Sequence, residues 1–179
     1  MFSRRTDWIL TPNRLTEVQR ELSSAGREVL DLTVSNPVRA GLRYDADAIL
    51  NSLKNPKAMD YDPQPKGLHS ARQAVAAYYR EQHQALVDPE SLVLTTSTSE
   101  GYSYVFRLLC NPDDEILVPK PSYPLFEFLA DLQDVKLAPY PLLYDHGWQI
   151  DFPSLSRTVT TRTRAVVVVH PNNPTGSYV

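Results

Sequence analysis

An α/β fold of three layers (αβα), with helices on both faces of a mostly parallel sheet, is what this sequence predicts, on three observations. From residue 91 onward, short apolar runs alternate with helical patterns of about ten residues, the rhythm of βαβ units. "RAVVVVH", residues 164–170, carries four consecutive valines without polar alternation, the habit of a parallel strand covered on both faces. Three apolar runs each empty into a polar loop: "LVLT" into "TSTSEG", "ILVP" into "KPSYP" and "VVVVH" into "PNNPTG". In a parallel sheet such loops share the carboxyl edge, where ligands of open α/β sheets bind.

Element by element, "TPNRLTEVQRELSSAG" reads as a helix, with Pro12 in the first turn, Leu15, Val18 and Leu22 on one face and Gly26 as its stop. "EVLDLTVSNP", residues 28–37, reads as a short strand entering a turn, and "YDADAILNSLKNP" as a short helix. "GLHSARQAVAAYYREQHQ" is the most regular helix: Leu68, Ala71, Val75 and Tyr78 line one face, with Arg72, Arg80 and Glu81 on the outer one. Then come a strand at "SLVLT", a helix at "EGYSYVFRLLC", a strand at "EILVP", a helix at "YPLFEFLADL" and a strand at "VKLAPYPL". "GWQIDFPSLSRTV" supplies a turn and a helix before the final valine strand.

Composition removes several function classes. A net charge of −3 gives no electrostatic reason to expect nucleic acid or an anionic membrane as partner. No window approaches the ~18 apolar residues of a membrane span, and "MFSRRTDWIL" lacks the apolar core of a signal peptide. The single cysteine, Cys110, excludes an internal disulfide and a thiolate zinc site, and it reads as a buried structural thiol. His69, His83, His146 and His170 show no metal-ligand spacing on one element, so no metal is expected. The 15 prolines sit in short loops between apolar runs and mark turns. A cytoplasmic protein is the expectation.

Each of the three loops has both a structural and a chemical reading. Ser97, Thr98 and Ser99 stand at a helix entrance, where hydroxyls cap the helix or, with free amides, hold an anion such as phosphate. Neither G-x-x-x-x-G-K-[ST] nor G-x-G-x-x-G is present, so a nucleotide loop has no support. Tyr123, between two prolines, either rests on the core or presents its ring to a flat heterocycle. Asn173, before Pro174, belongs to a plain turn or donates its amide to a phenolate-type oxygen, and its X-Pro bond is open to the cis form. Jointly the three loops describe a holder for a small phosphorylated aromatic.

At this point the sequence resembles the N-terminal part of a class I/II (fold-type I) pyridoxal-phosphate-dependent aminotransferase. The stretches that carry the likeness are "DLTVSNP", "YDPQPKGLHSARQAVAAYY", "LVLTTSTSEGYSYVFRLL", "NPDDEILVPKPSYPLFEFLA" and "HPNNPTG", in family order over nearly the whole chain. The resemblance implies an N-terminal arm and small-domain segment at 1–45 and the first part of the cofactor-binding large domain at 46–179. It implies that Ser97, Thr98 and Ser99 hold the cofactor phosphate, although glycine is usual where Ser97 stands. Tyr123 would stack on the pyridine ring and Asn173 would bond its phenolic oxygen. Tyr61 would reach the phosphate of the neighbouring subunit in a homodimer, and Ser35 and Asn36 would touch the substrate carboxylate. Arg39, nearby, reads as solvated.

The same resemblance implies transfer of an amino group between an amino acid and a 2-oxo acid. No catalytic residue can be assigned within residues 1–179. The Schiff-base lysine, an aspartate for the pyridine nitrogen and an arginine for the substrate are expected beyond Val179. None of Lys54, Lys57, Lys66, Lys120 and Lys136 has the surroundings of such a lysine, so the chain is expected to stop in mid-domain and to be inactive by itself. The alternatives are a C–S lyase or other eliminase of the same fold, and a non-catalytic fragment or binding module.

Overall fold

The computed structural model describes residues 2–33 and 35–178. The chain divides into two compact units, Met1–Trp8 with Lys66–Val179, and Ile9–Pro65. The larger unit holds the sheet, whose order is β3-β2-β1-β4: β1 is Glu115–Lys120, β2 Lys136–Tyr144, β3 Trp148–Ile150 and β4 Thr163–Val166. β1 pairs in parallel with β2 on one side and β4 on the other, while β3 returns antiparallel along the end of β2.

Burial explains why β1 is the centre. Ile116, Leu117 and Val118 are all buried, so both faces of this strand are covered. Ile116 and Val118 join Phe106 of α4 (Thr98–Leu109) and Phe126, Leu129 and Ala130 of α5 (Phe126–Asp131) in one apolar cluster. Leu117, by strand alternation, faces the other way. On that side the buried Tyr140 of β2 donates its hydroxyl to the Val167 carbonyl beyond β4 at 2.8 Å, tying the two strands that flank β1. The helix α6 (Phe152–Thr158) packs on β2, and Phe152 and Tyr140 line one cavity, which completes the three-layer α/β arrangement.

The N-terminal residues are pinned to α5. Arg5 pairs with Asp134 through Nε at 2.8 Å and through Nη2, and Trp8 donates to Asp131 at 2.9 Å with its ring edge-on to Phe128. Of the remaining helices, α1 (Arg14–Ser24) starts at an Asn13 cap and stops where Gly26 turns left-handed, and α2 (Ala46–Leu53) starts at an Asp45 cap. The longest, α3, is His69–His83.

Several sequence expectations are corrected. "SLVLT" forms no strand: Leu94 N–H bonds the Lys66 carbonyl, and no strand runs beside it among the described residues. A strand exists only by pairing, and the partner is not written in the run itself. Residues 28–33 and 35–37 likewise form no strand, and Val34 lies outside the described residues. The valine run is covered on one side only: Val167 and Val169 pack on the core, whereas Val166 and Val168 are 42% and 49% exposed. Burial therefore alternates along this run among the described residues. "GWQI" contains β3, too short to announce itself, made by a hairpin turning at Asp145–Gly147. On α3, Arg72 is buried and Tyr78 exposed, the reverse of the expected facing, because the Arg72 guanidinium finds carbonyl partners inward.

The far end of the sheet carries two buried carboxylates. Asp114 accepts from the Asn111 amide and from Arg164, which hold it below the usual carboxylate range against the opposing effect of burial. Glu115 accepts from the Thr160 hydroxyl and from Arg162, with the same direction. A lowered folded pKa gives stability that is present above the ordinary values of 3.8 and 4.5 and is lost as pH falls through the folded ones. The thermal midpoint should therefore fall on acidification below about 4, and the Arg162→Ala, Arg164→Ala double variant should show a shallower acid slope in the same melts.

Candidate active site

Because β1 and β4 are parallel neighbours, the loops that follow them leave from one edge of the sheet. After β1 comes Lys120–Pro121, a cis bond, then Ser122 and Tyr123; after the valine run come two more cis bonds, His170–Pro171 and Asn173–Pro174. Tyr123 is half-buried and its ring stands edge-on to Phe126, centroids 5.5 Å apart. Tyr102, one turn into α4, meets the same Phe126 ring at 4.9 Å. Phe126 thus joins the start of α4 to the Tyr123 loop, and burial together with the nearby Tyr123 pushes the Tyr102 hydroxyl above its ordinary range.

The start of α4 is closed by its own side chains. Ser97 is its N-cap, accepting the Glu100 amide on Oγ at 3.2 Å and the Gly101 amide on its carbonyl at 3.1 Å. Its φ of −160° is extended backbone open to any residue, so a serine stands there without strain. Glu100 turns back to accept the Thr96 amide at 2.7 Å, the Thr96 hydroxyl and the Tyr104 hydroxyl, which hold its carboxyl below the usual range. The amides and hydroxyls of Thr98 and Ser99 have no hydrogen-bond partner among the described residues. Two amides and two hydroxyls at the positive end of a helix are a donor set that suits a phosphate group.

The third loop has an inner and an outer asparagine. Asn172 is 4% exposed: its amide N–H bonds the Ser177 carbonyl, its own carbonyl accepts Gly176 N–H, and its Nδ2 donates to Thr175 Oγ1 at 2.9 Å. Its Oδ1 has no partner among the described residues, and the residue lines a cavity of about 310 Å³ with Tyr140, Trp148 and Phe152. Asn173 is exposed, its side chain unengaged among the described residues. Asn172 therefore fixes the loop, and the Asn173 side chain is left exposed beside it. Sequence reasoning missed the inner residue; the Asn172–Thr175 spacing, an amide and a hydroxyl on one turn, was the available signal.

Comparison with known proteins decides what this edge belongs to. The family profile "Aminotransferase class I and II" matches residues 27–179. The chain belongs to the class I and II aminotransferases. It is 33% identical over 164 residues to the glutamate-pyruvate aminotransferase AlaA of Escherichia coli (strain K12), covering 91% of this chain and 40% of that protein. It is 32% identical over 131 residues to the S-alkyl-thiohydroximate lyase SUR1 of Arabidopsis thaliana, covering 73% of this chain and 28% of that one. Its fold matches the alanine aminotransferase from Pyrococcus furiosus with a TM-score of 0.78 at 28% identity, over 99% of this chain and 46% of that structure. The chain thus spans between about a quarter and two fifths of the length of the curated relatives it matches.

The other residues assigned from the aminotransferase likeness lie in the unit Ile9–Pro65. Tyr61 is 92% exposed, and Ser35 is exposed. Asn36 uses its Oδ1 within its own turn, accepting the Val38 and Arg39 amides at 3.0 and 3.1 Å. Arg39 is exposed, as expected. Lys66 and Lys136 are engaged on the surface with Glu90 and Asp113. Cys110 is partly buried against the core, and burial pushes its thiol up. His69 and His146 pair with Glu90 and Asp145, and no cluster with metal-ligand composition exists among the described residues.

The division of labour at the cradle is testable by stability alone. Ser97→Ala removes the cap and should cost about 1 kcal/mol. Ser99→Ala removes a hydroxyl without an internal partner and should change stability by less than about 0.5 kcal/mol in the same denaturant titration.

Proposed function

We propose that the whole protein is a pyridoxal-phosphate enzyme that transfers an amino group between an amino acid and a 2-oxo acid. The observation that carries this reading is the unpaired donor set of Thr98 and Ser99 at the start of α4, joined through Phe126 to Tyr123. Members of the class I and II family use pyridoxal phosphate, which when bound supplies an electron sink for the negative charge left when a proton leaves the substrate Cα.

The work of this chain is binding and orientation. The Thr98 and Ser99 amides and hydroxyls hold the phosphate, with the Ser97 cap keeping that turn formed. The Tyr123 ring covers a face of the pyridine, its own tilt set by Phe126. The Asn173 amide donates to the phenolic oxygen and so stabilises its ionised form. Tyr61 serves the phosphate of the neighbouring subunit, and Ser35 and Asn36 meet the substrate carboxylate. A cytoplasmic homodimer, with an arm and small-domain segment at 1–45 and the large domain from 46, is part of the same reading. Support for a partner comes from Leu30, Leu32, Met59 and Tyr61, each more than four-fifths exposed. None of the five lysines in this chain is assigned to bind the cofactor covalently.

A second reading, elimination at a C–S bond, is supported by the similarity to SUR1. Both readings share the cradle, so the products separate them. The whole protein, mixed with pyridoxal phosphate and dialysed, should retain its absorbance, and should convert an amino acid and a 2-oxo acid into the exchanged pair. Asn173→Ala should weaken cofactor retention about tenfold, the loss of one good hydrogen bond. Release of ammonia and a thiol without amino exchange favours the lyase, and no retained absorbance contradicts both.

A further inference from the structure

Arg72 is buried at 6% exposure on a helix whose other charged side chains are exposed, and nothing in the cofactor chemistry asks for it. A buried guanidinium is costly unless its donors are met. Here two of its nitrogens are met, mainly by backbone: Nε donates to the Gly67 carbonyl at 3.2 Å and Nη1 to the Pro89 carbonyl at 2.6 Å and to Glu90 Oε1 at 3.0 Å. Lys66 adds a second tie, its Nζ donating to the Glu90 carbonyl at 2.5 Å. Residues 66–67 are thereby clamped to residues 89–90.

The clamp reaches further. The Lys66 carbonyl accepts the Leu94 amide at 2.9 Å. Gly67 lies against the Leu94 side chain so closely that an added Cβ would stand 2.8 Å from Leu94 Cβ and Cδ1, at a φ of +85° that favours glycine. Leu94 leads directly into Thr95, whose hydroxyl bonds the carbonyl of the Ser97 cap at 2.9 Å. Residues 92–95 have no ladder partner among the described residues, so this contact is what aims the chain into α4.

We propose that Arg72, acting through Gly67 and Leu94, is a positioning residue for the phosphate cradle at Thr98 and Ser99. The inference rests on the cofactor reading above and adds to it a residue that touches neither cofactor nor substrate. A loosened clamp shifts the cradle, which meets the phosphate, and leaves Tyr123, anchored on Phe126, where it is.

The test is a comparison of two probes in the whole protein: the Kd for pyridoxal, which lacks the phosphate, divided by the Kd for pyridoxal phosphate. Arg72→Lys should lower this ratio about tenfold, the worth of a charge-assisted hydrogen bond, while pyridoxal alone binds as before. Gly67→Ala should give the same signature with the guanidinium left in place. Glu90→Gln, which leaves both carbonyl partners to the guanidinium, should lower the ratio by a smaller factor and remains informative if the first two variants do not fold. A merely structural role lowers the melting temperature and leaves the ratio unmoved, and that result in the folded variants overturns the proposal. A wild-type protein with no preference for the phosphorylated probe overturns the cradle reading and the positioning role with it. A wild-type preference that survives these substitutions overturns the positioning role alone.

Discussion

The parallel pairing of β1 with β4 is the constraint on which the rest of this molecule depends. Glu115, Ile116 and Leu117 register with Thr163, Ala165 and Val166, which sends the Tyr123 loop and the Asn173 loop out of the same edge. The pairing is held from three directions. The apolar cluster under Ile116 and Val118 fixes one face, and the Tyr140 hydroxyl on the Val167 carbonyl braces the strands across the other. At the far end Arg162 and Arg164, just before and within β4, reach Glu115, the first residue of β1, and Asp114 just before it. Apolar burial supplies most of the driving force, and the polar ties select the register, since a one-residue slip would turn every side chain to the wrong face.

The cradle follows a different logic. Its strength lies in which donors are already spent. Glu100 satisfies Thr96 and Tyr104, and Ser97 satisfies Glu100 and Gly101, so the turn is formed without drawing on Thr98 or Ser99. A helix start ordinarily leaves several amides for water. Here the Thr98 and Ser99 amides stay unpaired among the described residues, with hydroxyls beside them, on a turn closed by the Ser97 cap. The asparagine loop repeats the pattern, with Asn172 consumed internally and Asn173 left over. In both places one residue builds the loop so that its neighbour need not.

Much of this was legible in the residues. Alternating apolar runs and helical patterns gave β1, β2, β4 and α3 to α6 within a few residues, and two of the three polar loops follow the parallel neighbours β1 and β4. What failed did so for identifiable reasons. The run 92–95 has strand composition, yet pairing belongs to a neighbour that composition does not reveal. The four valines have the composition of a covered strand, but exposure at Val166 and Val168 depends on what lies beyond β4. The helical pattern puts Arg72 on the outer face, where a charged residue usually sits. Its burial follows from two carbonyls, at Gly67 and Pro89, brought together only by folding. Asn172 was overshadowed by Asn173 for a related reason: two adjacent asparagines differ in role by which side of the loop they take.

The central claim is that one sheet edge and one helix start form a single receptor for a phosphorylated ring. Amide hydrogen exchange of the whole protein, with and without pyridoxal phosphate, tests it most directly. Joint protection at Thr98 and Ser99, at Ser122 and Tyr123, and at Asn173, with no change in the already buried Ile116 to Val118, is the predicted result. Protection confined to one of the three segments, or appearing elsewhere in the chain, would contradict it.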